Sequence, residues 1–260
     1  MIRHTFSVLD GVGEKREKRL WAEGIVSWED FLVAGRVPFF SEKRTEIIRE
    51  SICYFKQELV SGNPEPFADF IRQREHWRLF DAFRDGVLCL DIETNGLPPG
   101  RGGVVTLVGL YDERGYRCLV RGEDLTEERL TEEISGDKIL VTFFGSSFDI
   151  PFLRNEFPSV RFRVPHFDLC FGARRLGMKG GLKKIERKFG LFRAEEVTGL
   201  DGYDAVLLLK KWLRGDRKAL DLVIKYNRED TVNLLHLSAS IYKLLRDSTG
   251  IGRYLELQHY

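Results

Sequence analysis

Little in this chain favours a disulfide framework, a zinc site or a membrane. Its four cysteines, Cys53, Cys89, Cys118 and Cys170, are widely separated and none forms a Cys-x-x-Cys pair. Buried free thiols are therefore expected. No apolar run approaches the roughly 20 residues needed to span a bilayer. The first residues, Met1-Ile-Arg-His-Thr-Phe-Ser7, lack the apolar core of a signal peptide. Cytoplasmic residence without a membrane partner is the expectation. A charge excess is missing too: 41 basic against 40 acidic side chains give no global pull on a polyanion. His4, His76, His236 and His259 are scattered and carry no ligand spacing.

What is present is a soluble, globular composition, 43% hydrophobic and 31% charged over 260 residues, enough for one sizeable core and a smaller appended module. Residues 1–84 read as helical. The turn Asp10-Gly-Val-Gly13 precedes a helix over Glu14–Glu23 that stops at Gly24. Ser27 is an N-cap with Asp30 three residues on. An amphipathic helix over Ser41–Leu59 places Ile47, Ile48, Ile52 and Phe55 on one face. It breaks at Ser61-Gly-Asn-Pro-Glu-Pro66, and a further aromatic-rich helix is expected over Phe67–Phe83.

From Val87 the pattern changes. Val87–Thr94, Val104–Tyr111 and Tyr116–Val120 are apolar, β-branched runs between turns, an antiparallel meander. A charged helix over Leu125–Ile134, a buried strand over Lys138–Phe144 and a helix from Asp149 with Pro151 in its first turn follow. After a short segment at Val164–Leu169 the chain reads as helical to Leu245. The expectation is an α/β fold, a mixed sheet with helices on its faces. It spans residues 85–247, with 248–260 as a C-terminal tail.

The chemistry is carried by acids. Asp91 and Glu93 lie two residues apart in an apolar strand, so both project to one face. Two exposed acids at a strand end is the plain alternative. If buried, the pair needs a cation or a shared proton, because like charges repel and burial disfavours ionisation. Asp149 follows a buried strand through Gly145-Ser-Ser-Phe148, at the carboxyl end where α/β sheets build sites. Tyr226 and Asp230 are i and i+4 on a late helix. Asp168, near His166 in Pro165–Leu169, is a rival carboxylate in what reads as a strand edge or packing segment.

Asp-x-Glu on the first strand, Asp after the fourth and Tyr-x-x-x-Asp on a C-terminal helix together resemble the DEDDy subclass of RNase H-like 3′–5′ exonucleases. The sister subclass carries His where this chain has Lys225. The segments Leu90–Leu97, Phe144–Phe152, Gly180–Glu186, Gly202–Ala205 and Tyr226–Asp230 look closest to the YprB-type ribonuclease-H-like domains, over about residues 85–245. Phe144 departs from the pattern, which has a polar residue before the glycine.

The resemblance implies an RNase H-like sheet and hydrolysis of phosphodiester bonds from a 3′ end. Asp91, Glu93, Asp149, Tyr226 and Asp230 would be catalytic, and the four carboxylates would hold two Mg²⁺ or Mn²⁺. Two such ions supply a nucleophilic water and a stabilised leaving oxygen, and hard oxygen ligands suit them better than zinc. Tyr226 would orient the attacking water. Thr94 and Asn95, following the Asp-x-Glu pair, would touch substrate. No organic cofactor is implied, and the oligomeric state stays open. An RNase H-like endonuclease and a non-catalytic nucleic-acid-binding adaptor are the alternatives.

The partner would be nucleic acid. Between Arg174 and Arg193 the basic residues Arg174, Arg175, Lys179, Lys183, Lys184, Arg187, Lys188 and Arg193 accompany a single acid, Glu186. They read as a phosphate-tracking face or a solvated helix surface. Gly11 and Gly13 resemble the hairpin of helix-hairpin-helix modules, which bind a phosphate through backbone N–H groups and would favour DNA. A plain helix cap is the other reading.

Overall fold

Strand β1 (Val87–Thr94) explains most of the architecture, because its alternate residues serve two cores. Leu88, Leu90 and Ile92 pack on one face of the sheet with residues such as Leu110, Leu130, Leu140 and Leu153. Val87 and Cys89 face the other way, with Ile139, Val141, Leu237 and Ile241. Asp91 and Glu93 continue this second face, as a period of two requires.

The structure is a computed structural model that describes residues 1–9 and 11–257. The turn expected from Asp10 thus begins outside the described residues, as does the end of the expected tail. Helices α1 (Glu14–Ala22), α2 (Trp28–Val33), α3 (Glu42–Ser61) and α4 (Glu65–Phe70) form the amino-terminal region. After β1 come β2 (Val105–Asp112), β3 (Gly115–Val120), α5 (Glu127–Ile134), β4 (Ile139–Thr142), α6 (Asp149–Glu156) and β5 (His166–Asp168). Helices α7 (Leu169–Arg175), α8 (Leu182–Lys188), α9 (Gly202–Trp212), α10 (Arg217–Thr249) and α11 (Ile251–Leu257) complete the described chain. The sheet runs β3-β2-β1-β4-β5. Its first three strands are an antiparallel meander, while β1–β4 and β4–β5 are parallel. This is the expected mixed α/β sheet.

Local signals act as expected at several ends. Ser27 and Asp30 form a reciprocal capping box on α2, and Gly62 ends α3 in the left-handed conformation. Three expectations need correction. Ile47 is exposed, so the buried face of α3 is carried by Ile48, Ile52 and Phe55. Cys53 is exposed and Cys118 half-buried, so only Cys89 and Cys170 are buried thiols. The helix expected over Phe67–Phe83 stops at Phe70 and resumes as a 3₁₀ segment, Gln73–Leu79.

That break has a physical cause. A 3₁₀ turn stacks residues i and i+3, which brings Glu75 against Arg78 at 2.7 Å. Arg78 also reaches Glu17 of α1 at 3.0 Å and Thr5 at 3.2 Å. Glu17 accepts the Phe6 and Ser7 N–H groups at 2.7 and 3.2 Å. Glu75 receives Arg175 of α7 at 2.9 Å. One buried network therefore joins the amino-terminal region to the sheet domain. α11 closes the same side, with Ile251 buried and Tyr254 against Trp21 at 5.8 Å.

Removing one partner of a buried pair leaves an uncompensated charge. Arg78→Met, which leaves buried Glu17 without its cation while Glu75 keeps Arg175, should lower unfolding free energy by about 3–5 kcal/mol. Urea denaturation of the variant beside the wild type measures this.

Candidate active site

Asp91, Glu93 and Asp230 each offer a carboxylate oxygen, and these oxygens all lie within 4.8 Å of one another. Asp91 and Glu93 come from β1, and Asp230 from α10, which crosses the same face of the sheet. On α10 the buried residues Val223, Tyr226, Asn227, Asp230, Thr231 and Leu234 recur at helical spacing, so Tyr226 and Asp230 face inward with the packing residues. Asp149 stands beside the three. It opens α6, and its Oδ1 accepts the Ile92 N–H at 3.2 Å.

Asn227 is the hinge of this arrangement, and the sequence reading passed over it. Its Nδ2 donates to Asp91 Oδ2 at 2.8 Å. Its Oδ1 accepts from the Tyr116 hydroxyl at 3.0 Å and Thr231 Oγ1 at 3.2 Å. Space for it exists because Gly109 is opposite Asp91 in the β1–β2 pair. A Cβ at Gly109 would sit 1.7 Å from Asn227 Oδ1 and 2.6 Å from Thr231 Oγ1. A glycine inside a strand often marks a close approach, and that was the available signal.

Arg193 also differs from expectation. It is no exposed phosphate contact: its side chain is only 6% exposed and pairs with Glu186 and Asp230. Glu186 accepts both Arg193 Nε and Nη2 at 2.8 Å, and Asn233 Nδ2 at 3.0 Å. Glu186 is therefore a buried brace, and not the lone acid of a solvated face. The buried Arg193 Nη1 has no hydrogen-bond partner among the described residues. Lys183 lies half-buried with Nζ 4.8 Å from the centre of the Tyr226 ring, while Lys179 and Lys184 are exposed.

The remaining expected contacts have internal partners. Thr94 is buried, and its hydroxyl accepts the Gly96 N–H at 3.2 Å. Asn95 ties the β1–β2 connection together through Gly102 O, Leu97 N and Val104 N. Gly11 and Gly13 lie in the amino-terminal region, outside the acid cluster. Gly11 adopts φ 75°, Arg16 holds its carbonyl at 2.7 Å, and Gly13 is the N-cap of α1. Asp168 binds the Phe144 and Ser146 N–H groups, both at 2.9 Å, and caps α7 through Cys170 N at 3.0 Å. Its carboxylate thus holds the loop that leads to Asp149.

Burial, and after it mutual repulsion, shifts the clustered acids Asp91, Glu93, Asp149 and Asp230 upward. Burial and then repulsion from Asp230, Asp149 and Glu93 raise Asp91 well above the usual range. Burial and Asp230 raise Glu93, against the Asn227 hydrogen bond. Burial pushes Asp149 up to about 7 and Asp230 up to about 6, the latter opposed by Arg193. Burial, with the nearby acids, also pushes the Tyr226 hydroxyl up, so it stays protonated. Clustered hard oxygens that resist ionisation fit a divalent cation such as Mg²⁺ or Mn²⁺.

A family model described as the RNase H superfamily matches residues 88–242. A solved structure described as "apo form of the nuclease" is similar at a TM-score of 0.48 and 19% identity, covering 67% of this chain and 83% of that one. No curated protein sequence matches.

Two outcomes follow from the geometry. Gly109→Ala must displace Asn227 and with it α10, an overpacking that should cost about 1–3 kcal/mol. Denaturation reads that cost, and a Mn²⁺ titration should show weaker binding. Asp149 and Asp230 titrate higher here than the roughly 3.9 of an unfolded aspartate. Through these two groups the metal-free fold holds extra protons between about pH 4 and 7, and their contribution to stability falls as pH rises through that window, while His166, pushed down to about 4 by burial, acts in the opposite sense. Melting in EDTA should show that raising the pH from 5 to 8 lowers the Tm of the wild type relative to that of Asp149→Asn.

Proposed function

Since the chain belongs to the RNase H superfamily, we propose that it is a metal-dependent nuclease of the DEDDy type that removes nucleotides from the 3′ end of a strand. The observation that carries this reading is the convergence of Asp91, Glu93 and Asp230 oxygens within 4.8 Å. Those three would hold one divalent ion, and Asp91 with Asp149 a second. When bound, such ions supply an activated water and charge stabilisation at the leaving oxygen.

The chain's own residues do the rest. Asn227 fixes the Asp91 carboxylate by its hydrogen bond, so the strand acid cannot rotate away from its partners. Arg193, braced by Glu186, holds Asp230. Arg193 thereby acts from within the fold, as the buried counter-charge that sets the position of the Asp230 carboxylate. Tyr226, protonated, would orient the attacking water by hydrogen bonding without taking its proton. Lys183, over the Tyr226 ring, would add positive charge where the phosphate lies.

The test is degradation of 5′-labelled linear and circular strands of DNA and RNA with Mn²⁺ or Mg²⁺. Stepwise shortening of linear strands, with circles left intact, is expected. Asp91→Ala should lose more than about 100-fold in rate, the scale of several kcal/mol of metal-borne stabilisation. Equal degradation by both proteins would remove the assignment, and cut circles would indicate an endonuclease.

A further inference from the structure

We propose that Phe144, Phe171 and Arg174 form a base-stacking subsite for the single strand whose 3′ end enters the carboxylate cluster. The inference rests on the nuclease reading and adds a binding surface to it.

Phe144 and Phe171 are large aromatic side chains left exposed on the protein. Their ring centroids are 6.2 Å apart, and the Arg174 guanidinium lies 5.5 Å from one ring and 5.4 Å from the other. Aromatic rings beside an arginine are the combination that accepts unpaired bases and their phosphates together. A folded core gains little from such an open group.

The backbone makes the exposure deliberate. Phe144 has φ 69°, and Phe39 is the other residue besides glycine in this region among those described. A bulky side chain there is strained and persists only where the surroundings impose it. Here Asp168 takes the Phe144 and Ser146 N–H groups, and Thr142 Oγ1 takes the Gly145 N–H at 3.1 Å. Three hydrogen bonds thus hold the loop in the conformation that displays the ring.

Position supports the same occupant. Phe144 follows β4 and Phe171 follows β5, at the carboxyl ends of the parallel strands, the sheet edge to which β1 brings Glu93. With strands spaced at about 4.8 Å, β5 lies roughly 10 Å from β1, within reach of one or two nucleotides. Beyond Phe171 opens a cavity of about 570 Å³ whose walls include Arg72, Arg74, Arg175, Gln73 and Ser146. Glu14, Glu75 and Asp168 share these walls, and Arg175 is paired with Glu75, so a strand leaving the aromatic pair would meet Arg72 and Arg74 at the cavity. A duplex keeps its bases stacked on each other and offers these rings no face.

Fluorescence anisotropy in EDTA with 5′-fluorescein (dT)15, (rU)15 and a 15-base-pair duplex tests this on the full chain. Phe171→Ala and Phe144→Gly should each weaken strand binding by about 5- to 30-fold. The duplex should change by less than about twofold. Phe144→Gly removes ring and backbone strain together, so its Tm should be retained while affinity falls. Phe171→Trp should restore binding. With Mn²⁺, KM should rise in the two weakened variants and kcat stay unchanged. Binding within twofold of wild type, or equal losses on strand and duplex, would overturn the subsite. Wild type that shortens strands beside variants that bind normally would sink only the subsite. Wild type that shortens no strand would sink the nuclease reading instead.

Discussion

The burial of four carboxyl groups, Asp91, Glu93, Asp149 and Asp230, is the constraint on which the rest of the sheet domain depends. Strand and helix packing brings Asp91, Glu93 and Asp230 together beside Asp149, and each carboxyl resists losing its proton. The neighbours share the burden. Asn227 gives Asp91 a donor, Arg193 gives Asp230 a counter-charge, and Ile92 gives Asp149 a backbone N–H. Gly109 clears the volume that the first of these needs. The resulting pocket is tolerable when protonated and well suited to hard cations when ionised.

The sheet domain was legible where the controlling forces are local. Period-two burial in β1 and the apolar runs of β2 and β3 announced a meander. The i, i+4 relation of Tyr226 and Asp230 survives on α10 because helix geometry alone sets it. What stayed hidden depends on contacts between distant elements. Arg193 sits in a run of basic residues, and only the folded chain brings Glu186, Asn233 and Asp230 around it. The aromatic stretch from Phe67 reads as a helix, yet the demands of Glu17, Thr5 and Arg175 on the Glu75–Arg78 pair turn it into a 3₁₀ segment. Thr94 and Asn95 lie next to the acids in sequence, and their side chains are engaged in the adjoining loop.

The amino-terminal helices are no loose appendage. Phe6, Trp28, Phe31, Ile52 and Phe67 share one continuous apolar core with Val87, Val141, Phe167 and Leu245 of the sheet domain. The Glu17–Arg78–Glu75–Arg175 chain of ion pairs runs alongside that core and fixes its register. Apolar burial supplies adhesion here, and the buried charges tolerate few alternative alignments.

α10 belongs to both regions. Tyr226 and Asp230 occupy its first half, while Tyr242 packs on Trp77 and Phe80 in its second. The helix is 33 residues long, about 50 Å at 1.5 Å per residue, with neither proline nor glycine to bend it. It behaves as a stiff beam. From Leu245 to Asp230 is roughly 22 Å at that rise, so one degree of tilt displaces the carboxylate by about 0.4 Å, twice the ±0.2 Å tolerance of a metal–ligand bond. The far anchorage of this beam therefore acts as a fine adjustment on the spacing of the carboxylate cluster.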